Sequence, residues 1–102
     1  MLNVSIQHTS ASLIVQENAD PDVQKDLIRY FDKLVPMTEK VYAHSIEGKD
    51  DMPAHIKSSL LPTHLSIPVS RGQLLLGRWQ GIYLFEHRNA PHTRRVIAHL
   101  SS

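Results

Sequence analysis

The residues able to do chemistry are densest between His44 and Ser59, which read His-Ser-Ile-Glu-Gly-Lys-Asp-Asp-Met-Pro-Ala-His-Ile-Lys-Ser-Ser. Seven of the first fourteen, His44, Glu47, Lys49, Asp50, Asp51, His55 and Lys57, carry charge or ligate metals. A solvated loop has the same composition, and for a charge run alone that is the better reading. Two details point further. Asp50 or Asp51 stands where it caps a helix whose first turn holds Pro53, a residue with no N–H to lose there. His55 then falls in the opening turns, near free backbone N–H groups and the positive end of the helix dipole, where anions are drawn. Two acids feeding a helix start that carries a histidine and a lysine suit a metal or a phosphate.

Composition narrows the classes. A chain of 102 residues with 41% hydrophobic content makes one domain with a modest core. Eleven basic against ten acidic residues leave a formal charge of +1, so no global field favours nucleic acid or a lipid surface. No apolar run approaches the ~20 residues of a membrane span, and no signal-peptide pattern opens the chain. The absence of cysteine excludes disulfides and thiolate chemistry and fits a cytoplasmic location. Seven histidines are the compositional oddity, and imidazole is the commonest protein metal ligand.

The elements that must position these groups follow in order. Leu2, Val4 and Ile6 alternate with polar residues, the period of a half-buried strand. His8-Thr9-Ser10-Ala11-Ser12 breaks it with small side chains beside a histidine, before the apolar run Leu13–Val15. Such a break leaves room for a ligand, although Ser and Thr also bond nearby backbone at bends, the reading favoured for His8 on the residues alone. Asp20-Pro21 opens a helix whose stripe of Val23, Leu27, Tyr30, Phe31 and Leu34 is expected in the core, with Val35-Pro36 as its stop. A connecting strand is expected near Val41–His44, then a second helix from about Pro53 to Leu61. Leu65–Val69 and Leu74–Leu76 flank Ser70-Arg71-Gly72-Gln73 as a hairpin. A strand from Trp79 ends in Glu86-His87-Arg88, Asn89–Thr93 turns, and Arg94-Arg95 starts the last strand. The sum is one α+β domain with more strands than helices.

Taken together, His-Thr-Ser-Ala-Ser at 8–12, Glu-Asn-Ala-Asp-Pro at 17–21, Asp-Asp-Met-Pro-Ala-His-Ile-Lys-Ser-Ser at 50–59, Trp-Gln-Gly-Ile at 79–82 and Glu-His-Arg at 86–88 resemble the YjbQ family. Its members are described as secondary thiamine-phosphate synthases. The resemblance runs from about Leu2 to Leu100. It implies a single domain over 1–102, a mixed or antiparallel sheet with two helices, and a homotrimer with polar pockets near subunit boundaries. It further implies a divalent metal, zinc in the first place, on His44, His55 and His87. His8, Glu47, Asp50, Asp51 and Glu86 would act in catalysis, and Ser10, Lys57, Gln80 and Arg88 would bind substrate. Three departures stand out. Family members normally carry a strand and a helix ahead of the position of Met1. Arg78 replaces a small hydroxyl residue, and Ala90-Pro91-His92-Thr93 replaces a glycine-containing loop.

Three imidazoles around zinc would leave a position open for chemistry. The implied reaction joins a pyrimidine-methyl diphosphate to a thiazole phosphate and expels pyrophosphate. It asks for cations on the phosphates and a divalent ion on the leaving group. Lys57, Arg88, Arg94 and Arg95 would supply charge, Asp50 and Asp51 could hold magnesium through oxygen, and an anion is expected near Lys57 and His55. The same residues would serve a metal-assisted hydrolase or transferase on another phosphorylated metabolite. They would equally serve a non-enzymatic trimeric metal-binding module.

Overall fold

A computed structural model describes residues 1–38 and 42–101. Its order is β1 (Leu2–Ile6), β2 (Ala11–Glu17), α1 (Pro21–Leu34), α2 (Asp51–Leu60), β3 (His64–Ile67), β4 (Val69–Ser70), β5 (Gln73–Leu74), β6 (Gln80–Glu86) and β7 (Val96–Leu100). Every described strand pair is antiparallel: β3-β1-β7 form one sheet, β2-β6 a second and β4-β5 a two-residue hairpin. The architecture is therefore the expected α+β domain with two helices.

The alternation of Leu2, Val4 and Ile6 does what its period dictates. Val4 and Ile6 are buried and join Ala11 and Leu13 in the core, with Leu2 and Leu65 packed against them. Pairing of Ala11 with Glu86 brings the start of β2 to the end of β6, so the 7–10 link meets residues 86–88 at one edge. There the His87 amide donates to the Ser10 carbonyl. Helix α2 lies against β2, its Ser58 hydroxyl donating to the Ala11 carbonyl. Its N-terminal turn thereby reaches the same edge.

Several expectations are corrected. Residues Tyr42–His44 form no strand, and Val41 lies outside the described residues. The segment 65–69 is not one arm of a hairpin. β3 pairs with β1 and stops at Ile67, because Pro68 has no N–H to continue the ladder. The hairpin is the short β4-β5, closed by Arg71 and Gly72, both at positive φ, as a two-residue loop requires. Arg94 and Arg95 precede β7 rather than begin it.

Helix α1 starts and stops as expected. Asp20 accepts from the Asp22 amide, Pro21 fills the first turn, and Val35 caps the end. Its stripe is nonetheless not core: no residue of α1 is buried, and Tyr30 and Leu34 are more than half exposed. Phe31 of the helix meets the β2-β6 sheet edge-on at Phe85. An apolar groove bordered by Leu27, Ile28 and Leu84 remains between helix and sheet. Amphipathic spacing shows which side chains want cover; it does not supply the surface that covers them.

Candidate metal and ligand site

Helix α2 buries an unexpected face. Asp51, Lys57 and Ser58 are inside with Pro53 and Ala54, while Leu60 is exposed. Buried polar groups need partners, and those of Asp51 define the site. Its Oδ2 lies 2.7 Å from His44 Nε2 and 3.1 Å from His55 Nε2. Its Oδ1 accepts from Arg88 Nη1 at 2.9 Å. The two imidazoles meet edge to face, 5.4 Å between ring centres. Among the described residues, His44, Asp51 and His55 form the group of three whose ligand atoms all lie within 4.8 Å of one another.

The hydrogen bonds behind these atoms decide what they can do. His55 Nδ1 sits 2.9 Å from the Thr9 carbonyl, which can only accept, so Nδ1 carries the proton. In the neutral ring Nε2 then presents a lone pair, and that lone pair faces a carboxylate oxygen. Two acceptors stand opposed at 3.1 Å unless a proton or a cation lies between them. A backbone carbonyl that accepts the second ring N–H is the arrangement that orients a metal-ligating histidine. Two imidazoles and one carboxylate are also a donor set known for catalytic zinc.

Arg88 holds the acids in place. Its Nε donates to Asp50 Oδ2 at 3.0 Å and its Nη2 to the Glu47 carbonyl at 2.9 Å, besides the bond to Asp51. The Asn89 amide adds a bond to Asp50 Oδ2. Asp50 occupies the cap position of α2, yet its side chain makes no cap bond, because Arg88 and Asn89 take it. Asp51 is therefore the first helical residue. The Arg88 hydrogen bond holds Asp50 below the usual carboxylate range, and Arg88 itself is raised. For Asp51, burial pushes the pKa up, but His44, His55 and Arg88 outweigh it and the carboxyl is lowered.

A cavity of about 450 Å³ opens over this cluster, lined by His8, Thr9, Glu47 and His92 as well as by the triad, Arg88 and Arg94. Glu86 takes Arg94 as a bidentate partner and accepts from the Arg88 amide. Burial raises its pKa, and Arg94 more than reverses the effect. The guanidinium of Arg88 is thus shared by Asp50 and Asp51, and that of Arg94 is taken by Glu86.

The structure gathers His8, His44, Glu47, Asp50, Asp51, His55 and Arg88 in or behind this cavity, with Glu86 anchored at its margin through Arg94. It does not bring in His87. That ring is 4% exposed, its Nε2 2.8 Å from Ser12 Oγ and its Nδ1 without a partner. Burial, reinforced by Lys57, lowers its pKa to about 4. β6 ends at Glu86, and the following ring packs against Ser12 and Phe85 and is not among the residues that line the cavity. Lys57 is also inside and reaches Asp32 on α1, so the anion expected between Lys57 and His55 has no lysine beside it. Gln80 is at the opposite end of β6, where its Oε1 accepts from the Gly77 amide. Ser10 is fully buried and bonds the His8 ring through its hydroxyl. Arg88 lines the cavity, but its guanidinium is committed to Asp50, Asp51 and the Glu47 carbonyl.

His92, Thr9 and Arg94 line the cavity, and the residues alone marked none of the three as site groups beyond the charge of Arg94. The replaced loop at 90–93 was the available signal for His92. Nothing local marks a carbonyl such as that of Thr9.

The family model for UPF0047 protein YjbQ-like matches residues 1–102. A UPF0047 protein from Synechocystis sp. is 56% identical over 101 residues, covering 99% of this chain and 69% of that protein. The UPF0047 protein YjbQ of Escherichia coli O157:H7 is 51% identical over 100 residues, covering 98% and 72%. Among solved structures, a conserved hypothetical protein from Thermus thermophilus superposes with a TM-score of 0.87 at 37% identity, covering 98% of this chain and 76% of that one. An uncharacterised YjbQ/UPF0047 protein from Clostridium acetobutylicum gives 0.84 at 38% identity, covering 96% and 72%. The chain belongs to the YjbQ-like UPF0047 family.

Proposed function

We propose that the chain binds one divalent metal ion through His44, Asp51 and His55 and uses the cavity beside it to act on a small phosphorylated substrate. The observation that carries this reading is the opposed pair of acceptors, His55 Nε2 and Asp51 Oδ2, each fixed from behind. Zinc suits two imidazoles and a carboxylate. Magnesium prefers an all-oxygen shell, and Asp50 is already committed to Arg88 and Asn89. Three protein ligands leave room for a substrate oxygen, and the ion would supply positive charge where a leaving group departs.

The specific activity we favour within this reading is a thiamine-phosphate synthase-like condensation, as a transferase. A metal-dependent hydrolase acting on a phosphate ester is the alternative, because one cavity would serve either. We also propose a cytoplasmic homotrimer. Among the described residues no helix is long and apolar enough to cross a membrane. Exposed Ile28, Tyr30, Leu34, Ile97 and Leu100 offer apolar surface for subunits to cover. Light scattering at low micromolar concentration should give three times the monomer mass.

Elemental analysis of purified protein tests the metal. About one zinc per chain is expected in the wild type and almost none in a variant with His44→Ala and His55→Ala. His87→Ala should keep its zinc. Equal metal in the wild type and the double variant would remove the site.

A further inference from the structure

The bend at 8–10 fixes two histidines in opposite senses. The Thr9 carbonyl accepts from His55 Nδ1, which leaves His55 Nε2 as a lone pair, as a metal ligand must be. One residue on, the Ser10 amide points at His8 Nδ1 from 3.2 Å. An amide can only donate, so His8 Nδ1 is an acceptor and the proton of the neutral ring sits on Nε2. The Ser10 hydroxyl, 3.0 Å from the same nitrogen, fits the same tautomer. No partner for His8 Nε2 appears among the described residues, and the ring lines the cavity that contains the metal triad. The other uncommitted imidazole there is His92. Its Nδ1 donates to the Ala90 carbonyl at 2.7 Å, so its neutral ring offers Nε2 as an acceptor.

Both guanidiniums of the cavity are occupied, Arg88 by Asp50 and Asp51 and Arg94 by Glu86. His8 Nε2–H is therefore a donor in this cavity that needs no protonation to act and is not spent on a carboxylate. We propose that His8 is a ligand-binding residue, the fixed neutral donor that takes one oxygen of an oxyanion whose other oxygen meets the metal. The proposal rests on the metal reading above and adds to it the residue that binds the oxyanion of the phosphorylated substrate. A neutral imidazole held by a backbone N–H suits this role, because the direction of its free N–H is set.

The test uses the zinc-loaded full chain and inorganic phosphate at constant ionic strength, followed by calorimetry. His8→Phe is expected to weaken phosphate binding about tenfold or more, while His8→Gln, whose amide N–H reaches near the imidazole Nε2, stays within about threefold of wild type. Zinc affinity should be the same in all three. Nitrogen-15 spectra of the neutral ring should show His8 as the Nε2–H tautomer. Phosphate affinity unchanged by His8→Phe, or an Nδ1–H tautomer, overturns the role of His8 and leaves the metal site standing. A zinc-loaded wild type that binds no phosphate does the same. Failure of the wild type to bind zinc removes the metal reading, and this proposal with it.

Discussion

Asp51 Oδ2 stands 3.1 Å from His55 Nε2, one helical turn along α2, while the other nitrogen of that imidazole, Nδ1, donates to the Thr9 carbonyl. The pair is short of a proton or a cation. If zinc fills the gap, it should stabilise the fold. At a free zinc concentration a hundred times its dissociation constant the gain is about 2.7 kcal/mol, on the order of 10 °C in Tm for a domain of this length. A chelator should reverse it, and Asp51→Asn should abolish it. An equal rise in Asp51→Asn would place the ion elsewhere.

Arg88 makes three separate bonds to the acidic loop and the start of α2, which demands the planar fork of a guanidinium. Arg88→Lys keeps the charge and loses the fork. Zinc affinity should fall about 10- to 100-fold, the usual cost of removing a group that orients a ligand. Competition with a chromogenic chelator measures it. Undiminished affinity would show that Asp51 holds its orientation without Arg88.

Gly48 turns the loop into Arg88's reach at φ +116°, where an added Cβ would stand 3.3 Å from Asp50 Oδ1. Gly48→Ala is expected to cost about 1–3 kcal/mol of backbone strain and to weaken zinc binding in parallel. Urea unfolding and metal titration of the same variant check both. A variant as stable as wild type would mean that the loop relaxes freely.

His87 gives the fold a pH dependence with a definite sign. Its folded pKa, about 4, lies below the ordinary value of 6.5, so the unfolded chain takes up the proton first. Stability is fully present above about pH 6.5 and declines as pH falls towards 4, by about 3 kcal/mol if the whole shift is realised. The lowered carboxyls of Asp50, Asp51 and Glu86 carry the loss further, in the same direction, below their ordinary values near 4. Denaturant midpoints at pH 7, 5.5 and 4.5 should fall in wild type and flatten over that range in His87→Gln. Parallel slopes would assign the dependence to other groups.

Arg94 and Glu86 close the margin of the cavity as a bidentate pair, the arginine side chain 3% exposed. Glu86→Ala leaves a buried guanidinium uncompensated and should destabilise the protein by about 3–5 kcal/mol. Thermal unfolding reads it. A loss below about 1 kcal/mol, the range of an exposed ion pair, would mean that water replaces the carboxylate.

The sequence by itself determined the local matters. Alternation set the strand at 2–6, Asp20-Pro21 and Val35-Pro36 set both ends of α1, and Pro53 allowed a helix start at Asp51. It also named His44, Asp51 and His55 among the reactive residues, since charge and imidazole crowd that stretch. Tertiary structure decided which of them meet. His44 and His55 lie eleven residues apart and meet on Asp51, whereas His87, chemically identical, is buried against Ser12 and Phe85. The face of α2 turned inward followed hydrogen bonds to Arg88, Asp32 and Ala11 rather than hydrophobic spacing. The stripe of α1 is only half covered among the described residues, with Phe31 against Phe85 and with Tyr30 and Leu34 exposed. Side-chain type and period are properties of neighbouring residues along the chain. Partners, tautomers and burial are properties of distances across it, and those exist only after Thr9, Arg88 and α2 have come to one edge.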